Sequence, residues 1–322
     1  MTANKPSIPP QDILTNYLPF IASSKNEWEK TLLEIKKHSL LSKKSFQELS
    51  MSLAKKLEET IITQAKKALE KGPIGLLYSG GVDSTIIAFV LKKNNIPFQA
   101  ITIGFHDKEQ KLPEDIFSSR ISAKKLDLSW QEKLYTFTQA KKLLEETIHT
   151  MGEELANSIN IGVGSVTIAG VKTLKEKNPK THYIFTGLGS EELFAGYQRH
   201  KDSENKHEEC WNGLIQMFSR DIQRDIAIEK NYKVKFLSPF LDKEITHLAM
   251  TIPDTMKLNQ EHAKLILRNA CTIIGLAEEF SFRKKRAAQY GARTDNALQK
   301  IAKKNGYVYR KDYILSVLKK NS

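Results

Sequence analysis

A chain of 322 residues with 40% hydrophobic and 27% charged content is long enough to bury a sizeable core, as one large or two modest domains. No stretch approaches about 18 consecutive apolar residues, and residues 1–10 are polar and Pro-rich without an apolar targeting core. A membrane-spanning helix is therefore excluded, and a cytoplasmic location is the expectation. The formal charge of +13 suits either a nucleic-acid partner or a lysine-rich solvated surface that favours an anionic substrate. Two cysteines, Cys210 and Cys271, stand outside any CxxC or Cys/His spacing, which argues against a disulfide framework and a zinc site.

Taken in chain order, Phe46, Leu49, Leu53, Leu57, Ile61, Ala65 and Leu69 recur at three- or four-residue steps among Lys and Glu, the period of an amphipathic helix. Gly72-Pro73 stops it. Ile74-Gly75-Leu76-Leu77-Tyr78 is a short apolar run of buried-strand type, the Ser/Gly stretch after it turns the chain, and residues 85–93 read as a helix. Beyond Pro97, residues 98–105 form a second strand. This strand, glycine turn, helix, strand order predicts an α/β fold built on a parallel sheet with helices on both faces. A further strand at residues 181–185 runs into a second glycine-rich turn, and loops at the carboxyl ends of strands in such sheets share one crevice. The charged stretch 200–212, with His200 and His207, reads as a solvent-exposed loop or lid, and 238–275 and the remainder read as helices. Lys300, Lys303, Lys304, Arg310, Lys319 and Lys320 make the end of the chain basic.

Tyr78-Ser79-Gly80-Gly81-Val82-Asp83-Ser84-Thr85 carries the chemistry of a phosphate grip. Gly80 and Gly81 let backbone N–H groups approach an anion, Ser79, Ser84 and Thr85 offer hydroxyls, and the following helix presents its positive end. Asp83 would repel a phosphate unless a Mg²⁺ lies between them, so the loop calls for a metal-bound polyphosphate. No Gly-Lys-Ser/Thr follows, so it is not a Walker A loop, nor is it a GxGxxG dinucleotide loop.

This string resembles the SGGxDS signature of the PP-loop ATP pyrophosphatases, which cleave ATP between the α and β phosphates. Thr186-Gly187-Leu188-Gly189-Ser190-Glu191-Glu192-Leu193-Phe194-Ala195-Gly196-Tyr197 resembles the second signature of the asparagine synthetase synthetase domain. Ser238-Pro239-Phe240-Leu241-Asp242 and the stretch from Phe282 through Lys285 to Gly291, with Lys264 and Arg268 between them, follow the same family's order over residues 45–292. The resemblance implies a PP-loop, adenine nucleotide alpha hydrolase-like fold at 71–292, a helical lead at 1–70 and a basic tail at 293–322. It implies ATP- and Mg²⁺-dependent amide ligation through an acyl-adenylate, with aspartate and ammonia as leading substrates and AMP and pyrophosphate released.

Carried over position by position, Asp83 and Glu191 are the expected Mg²⁺ ligands, and Lys285 is the lysine that offsets charge during adenylation. Ser79, Gly80, Gly81, Asp83, Ser84, Thr85, Ile103, Gly187 and Gly189 are the expected ATP contacts. Gly162-Val163-Gly164-Ser165 with Asn157 and Asn160 reads either as the loop for the carboxylate substrate or as a simple turn. Asp115 reads as a helix-start acid, and Lys264 and Arg268, four apart, either reach phosphates or form a solvated face.

The sequence departs from the family pattern at Leu188, where Glu is frequent, at Glu191 in place of Asp, and at Lys235 and Leu237 in place of Glu and Arg. In these features it is closer to the asparagine synthetase domain-containing proteins of eukaryotes. Thr2 stands where glutamine-dependent synthetases carry a nucleophilic Cys, and only about 70 residues precede the first strand, too few for a glutaminase domain. Ammonia is then expected free or from a separate glutaminase partner. Two rival readings keep the same nucleotide site: adenylation of tRNA or a nucleoside precursor, which the net charge favours, and a non-catalytic nucleotide-binding scaffold.

Overall fold

The computed structural model describes residues 24–106, 111–283 and 288–320. Five parallel strands, β1 (Ile74–Leu77), β2 (Gln99–Phe105), β3 (Trp130–Tyr135), β4 (Tyr183–Phe185) and β5 (Lys235–Leu237), form one sheet in the order β3-β2-β1-β4-β5. Successive strand side chains point to opposite faces, and here both faces are covered. Ile74 and Leu76 of β1 belong to one core, with Ala100, Tyr183, Phe185 and Leu237. Ile101, Ile103, Phe105, Ile184 and Phe236 belong to the other. The expected α/β architecture is present, with β3 and β5 as strands that their mixed composition had concealed.

The first core is closed by the helix Phe46–Leu69, which packs on the helix Leu265–Ile274. Ser45 starts it with a capping box to Glu48, satisfying two of the otherwise unbonded amides of the first turn. Its apolar stripe, Leu49, Leu53, Leu57, Ile61 and Ala65, is buried throughout. Ahead of it lies the helix Lys25–His38, anchored by Trp28, whose indole N–H donates to Leu214 O at 2.8 Å.

The second core lies under the helices Phe137–Leu155 and Ser158–Lys177, against which Thr294–Lys304 and Arg310–Lys319 pack. Ala297, Leu298, Ile301, Tyr313, Ile314 and Val317 are buried there, so the segment read as a basic tail is part of the packed fold. Gly162 and Gly164, expected in a substrate loop or turn, lie inside the helix Ser158–Lys177, which Asn157 caps by accepting from Ile159 and Asn160. A Cβ at Gly164 would stand 3.2 Å from Thr147, so this glycine serves close helix packing.

The stretch expected as an exposed loop or lid also proves folded. It carries the helices Gln198–Asp202 and Lys206–Met217, and His200, Cys210 and Trp211 are buried. The apolar period of the second helix, Cys210, Trp211, Leu214 and Met217, runs past residue 212 and becomes visible only when followed to its end. Among the described residues, no helix is long and apolar enough to cross a membrane.

Candidate active site

Strand order reverses at β1, which pairs with β2 on one side and β4 on the other. The loops leaving β1 and β4 therefore diverge at a topological switch point, the place where open α/β sheets leave a crevice. The register sets Leu76 beside Phe185, so the two glycine-rich loops begin at the same height.

The first loop is braced from below. Tyr78 OH donates to Ser122 Oγ at 2.6 Å, and Thr102 Oγ1 donates to Tyr78 O at 2.6 Å. Ser84 Oγ accepts from Ser79 N and donates to Gly81 O, each at 3.2 Å, while Thr85 is fully buried against Tyr78 OH. These hydroxyls shape the loop. Gly80 sits at φ +66°, and a Cβ there would meet the Ser118–Ser119 backbone at 3.0 Å, so only glycine fits. The helix Val82–Lys93 then starts at Gly81, with Asp83 in its first turn.

The second loop meets the first directly, because a Cβ at Gly187 would lie 2.8 Å from Asp83 Cβ. Gly189, at φ +97°, starts the short helix Ser190–Leu193 that carries Glu191. Ser238 Oγ lies 3.0 Å from Thr186 Oγ1 and supports the loop from β5. Leu188, at the family's variable position, packs against the first core. Lys235 pairs with the buried Glu229 at 2.7 Å, and Leu237 is buried in the same core.

Asp83 and Glu191, distant in sequence, converge on one ammonium. Lys264 Nζ lies 2.8 and 3.0 Å from the two Asp83 oxygens, 2.7 Å from Glu191 Oε1 and 3.1 Å from Ser190 Oγ. Lys264 is 4% exposed. Burial works to discharge it, but Asp83 and Glu191 outweigh that and hold its pKa above the ordinary lysine range. A Cβ at Gly196 would overlap Glu191 Oε2, so the Gly-Tyr end of the loop makes room for this carboxylate.

A cavity of about 660 Å³ opens beside the pair, walled by Asp83, Glu191, Lys201, His262, Arg268 and Arg283 among others. Arg268 donates to Ala263 O at 2.8 Å and Ser281 O at 2.5 Å. Arg283 reaches back to the first loop, donating to Gly80 O at 2.9 Å and Ser118 Oγ at 2.7 Å. Burial lowers the pKa of both guanidinium groups from the ordinary arginine value. Two carboxylates sharing one point are oxygen donors of the kind Mg²⁺ takes. Among the described residues, no cluster of three or more His, Cys, Asp or Glu is assembled for a metal.

The asparagine synthase family model matches residues 53–235 and 207–306, well over half of the chain. The chain belongs to the asparagine synthase family. A putative glutamine-hydrolyzing asparagine synthetase 1 of Methanocaldococcus jannaschii is 24% identical over 305 residues, 83% of this chain and 54% of that protein. The human glutamine-hydrolyzing asparagine synthetase is 26% identical over 202 residues, 60% of this chain and 35% of that protein. The chain thus spans about half, or less, of the length of these curated relatives. Among solved structures, an NMN synthetase from Francisella tularensis overlaps 83% of this chain and 98% of its own at 14% identity and a TM-score of 0.32, too slight a likeness to bear on function.

Within this asparagine synthase-type domain the expected residues divide. Asp83 and Glu191 face one cavity, as do Lys264 and Arg268. Ile103 is buried in the second core and does not line that cavity. Asp115 is the helix-start acid expected, in the first turn of the helix Glu114–Lys125, where it is buried. Lys285 lies outside the described residues. His200, expected in solvent, is buried, and burial lowers its pKa to about 4, so it is neutral.

The charged shell behind Glu191 escaped sequence reasoning. Glu192 is 1% exposed and pairs with Arg220, which stands on a π-helical turn, Phe218–Ile222. Arg220 also pairs with Asp221 at 2.6 Å, and Asp221 with Arg224 at 3.0 Å. Desolvation, with Asp221 adding to it and Arg220 opposing, raises the Glu192 carboxyl to about 7. The Glu-Glu pair in the second loop was the only signal available for it.

Proposed function

We propose that the chain is an ATP-dependent carbon-nitrogen ligase that activates a carboxylate as its adenylate, with aspartate and ammonia as leading substrates. The observation that carries this is the meeting of Asp83 and Glu191, from the two switch-point loops, around Lys264 at the mouth of one large cavity. In the reaction, a substrate carboxylate oxygen bonds to the α-phosphorus of ATP and the α-β phosphoanhydride breaks, releasing pyrophosphate. Ammonia then attacks the acyl carbon, and AMP leaves with the bonding pair of the acyl-phosphate oxygen. Mg²⁺ held by Asp83 and Glu191 would neutralise polyphosphate charge. The amides at the start of the helix Val82–Lys93 offer donors to the same phosphates. Lys264 and Arg268 supply positive charge where pyrophosphate negativity develops. Leu188 offers no proton acceptor, so deprotonation of the attacking nitrogen falls to another group.

A second reading, adenylation of a base in RNA, draws on the C-terminal helices. Residues 293–320 hold eight Lys or Arg against two Asp. Lys303, Lys304 and Lys311 there are exposed. One assay separates the readings: the purified chain with ATP, Mg²⁺ and aspartate, with or without ammonia or tRNA, analysed for AMP, pyrophosphate and asparagine. The ligase reading expects AMP that depends on aspartate and asparagine that depends on ammonia. Asp83→Asn is expected to lower AMP release by about 10³-fold or more. AMP release that requires tRNA and ignores aspartate would overturn the ligase reading, and no AMP at all with ATP still bound would support a scaffold.

A further inference from the structure

Among the described residues, four Lys or Arg side chains line the cavity, and three of them are already engaged by the protein. Lys264 is held by Asp83, Glu191 and Ser190, Arg268 by backbone carbonyls, and Arg283 by Gly80 O and Ser118 Oγ. Lys201 is the fourth. Among the described residues its ammonium makes no hydrogen bond or ion pair, although it lines the same cavity and is half-buried.

The helix that carries it, Gln198–Asp202, is firmly held. Tyr197 N donates to His200 Nδ1 at 3.1 Å, and His200 is wholly buried. Arg199 lies 4.2 Å from the centre of the Tyr197 ring and pairs with Glu209 at 2.9 Å. Gln198 Nε2 donates to Asp202 Oδ1 at 2.8 Å. Every neighbour of Lys201 on this helix thus has a protein partner. A charge presented into a cavity on a fixed element, with nothing of its own to bind, is complementary to a ligand anion.

The helix follows the loop that carries Glu191 and faces the same cavity as residues 260–262, whereas the phosphate grip belongs to the loop after β1. Resting on the ligase reading above, we propose that Lys201 is a specificity-determining residue that binds the non-reacting carboxylate of the acyl substrate. The reacting carboxylate needs charge neutralisation at the α-phosphate. The second carboxylate needs a cation set back from it, and Lys201 supplies that cation. Monocarboxylic acids of similar length leave this ammonium without its partner and bind less well.

The test compares three acids in the AMP-release assay on the full chain: aspartate, succinate, and β-alanine, which lacks the second carboxylate. Lys201→Gln is expected to lower the kcat/KM ratio of aspartate over β-alanine by about tenfold or more, mainly through KM for aspartate. Lys201→Arg is expected to keep most of the preference, since the charge remains. Equal loss on both acids, or a matching rise in KM for ATP, would overturn the assignment, the second by moving the contact to a phosphate. If the wild-type chain releases no AMP with any acid, the ligase reading falls separately. Calorimetric titration of succinate in the presence of α,β-methylene-ATP and Mg²⁺ then decides the subsite: weaker binding to Lys201→Gln than to wild type upholds it, and equal or undetectable binding to both overturns it.

Discussion

Single residues around the second loop are governed by the cost of burying charge. Glu192 stands beside Glu191 and near Asp221, with Arg220 as its counter-charge, in a region closed to water. Its folded pKa of about 7 lies above the ordinary glutamate value of 4.5. A carboxyl raised in this way contributes stability that is complete below pH 4.5 and is lost as pH climbs through 7, because ionisation is easier in the unfolded chain. Glu192→Gln keeps an acceptor for Arg220 and removes the titration. Urea unfolding at pH 5 and pH 8 is expected to show wild type losing about 1–3 kcal/mol more than the variant across that interval. Parallel losses in both proteins would show that Glu192 titrates as an ordinary carboxylate.

At the scale of elements, the helix Phe46–Leu69 was legible because it carries its own evidence, an apolar stripe and a Gly-Pro stop, and the structure adds the capping box at its start. The same is true of β1 and its loop. Strands β3 and β5 are short or mixed in composition, and their pairing partners rather than their own residues decide them. The helices over 198–217 were hidden because charged residues dominate 200–212, and the apolar period of the second shows only when followed to Met217. The helix Phe46–Leu69 is a structural wall of the first core as well as a lead into the sheet. Leu53, wholly buried in the first core, gives the check: Leu53→Ala is expected to cost about 2–5 kcal/mol in chemical denaturation. A cost near zero would mean that this helix contributes little to the core.

Across the whole molecule, the two faces of the sheet are completed by segments far apart in the chain. The first core draws on residues 28–69 and 245–280, and the second on 137–174 and 297–317. The two C-terminal helices close the second face. Ending the chain after Arg293 is expected to leave that face open, so the truncated protein should bind an apolar dye such as ANS and associate on gel filtration. A monomeric, dye-silent product would show that the second core closes without them.

From its residues alone, the chain determined the parallel α/β scaffold, the two glycine-rich turns and the acidic positions 83 and 191, because each is written in local spacing and residue type. That Asp83 and Glu191 share Lys264, that Lys201 has no partner among the described residues, and that Ile103 belongs to the core were decided by tertiary structure. The reason is physical: whether a charge or an apolar side chain meets a partner, a ligand or water depends on strand order and helix packing, and these bring together residues nearly 200 positions apart.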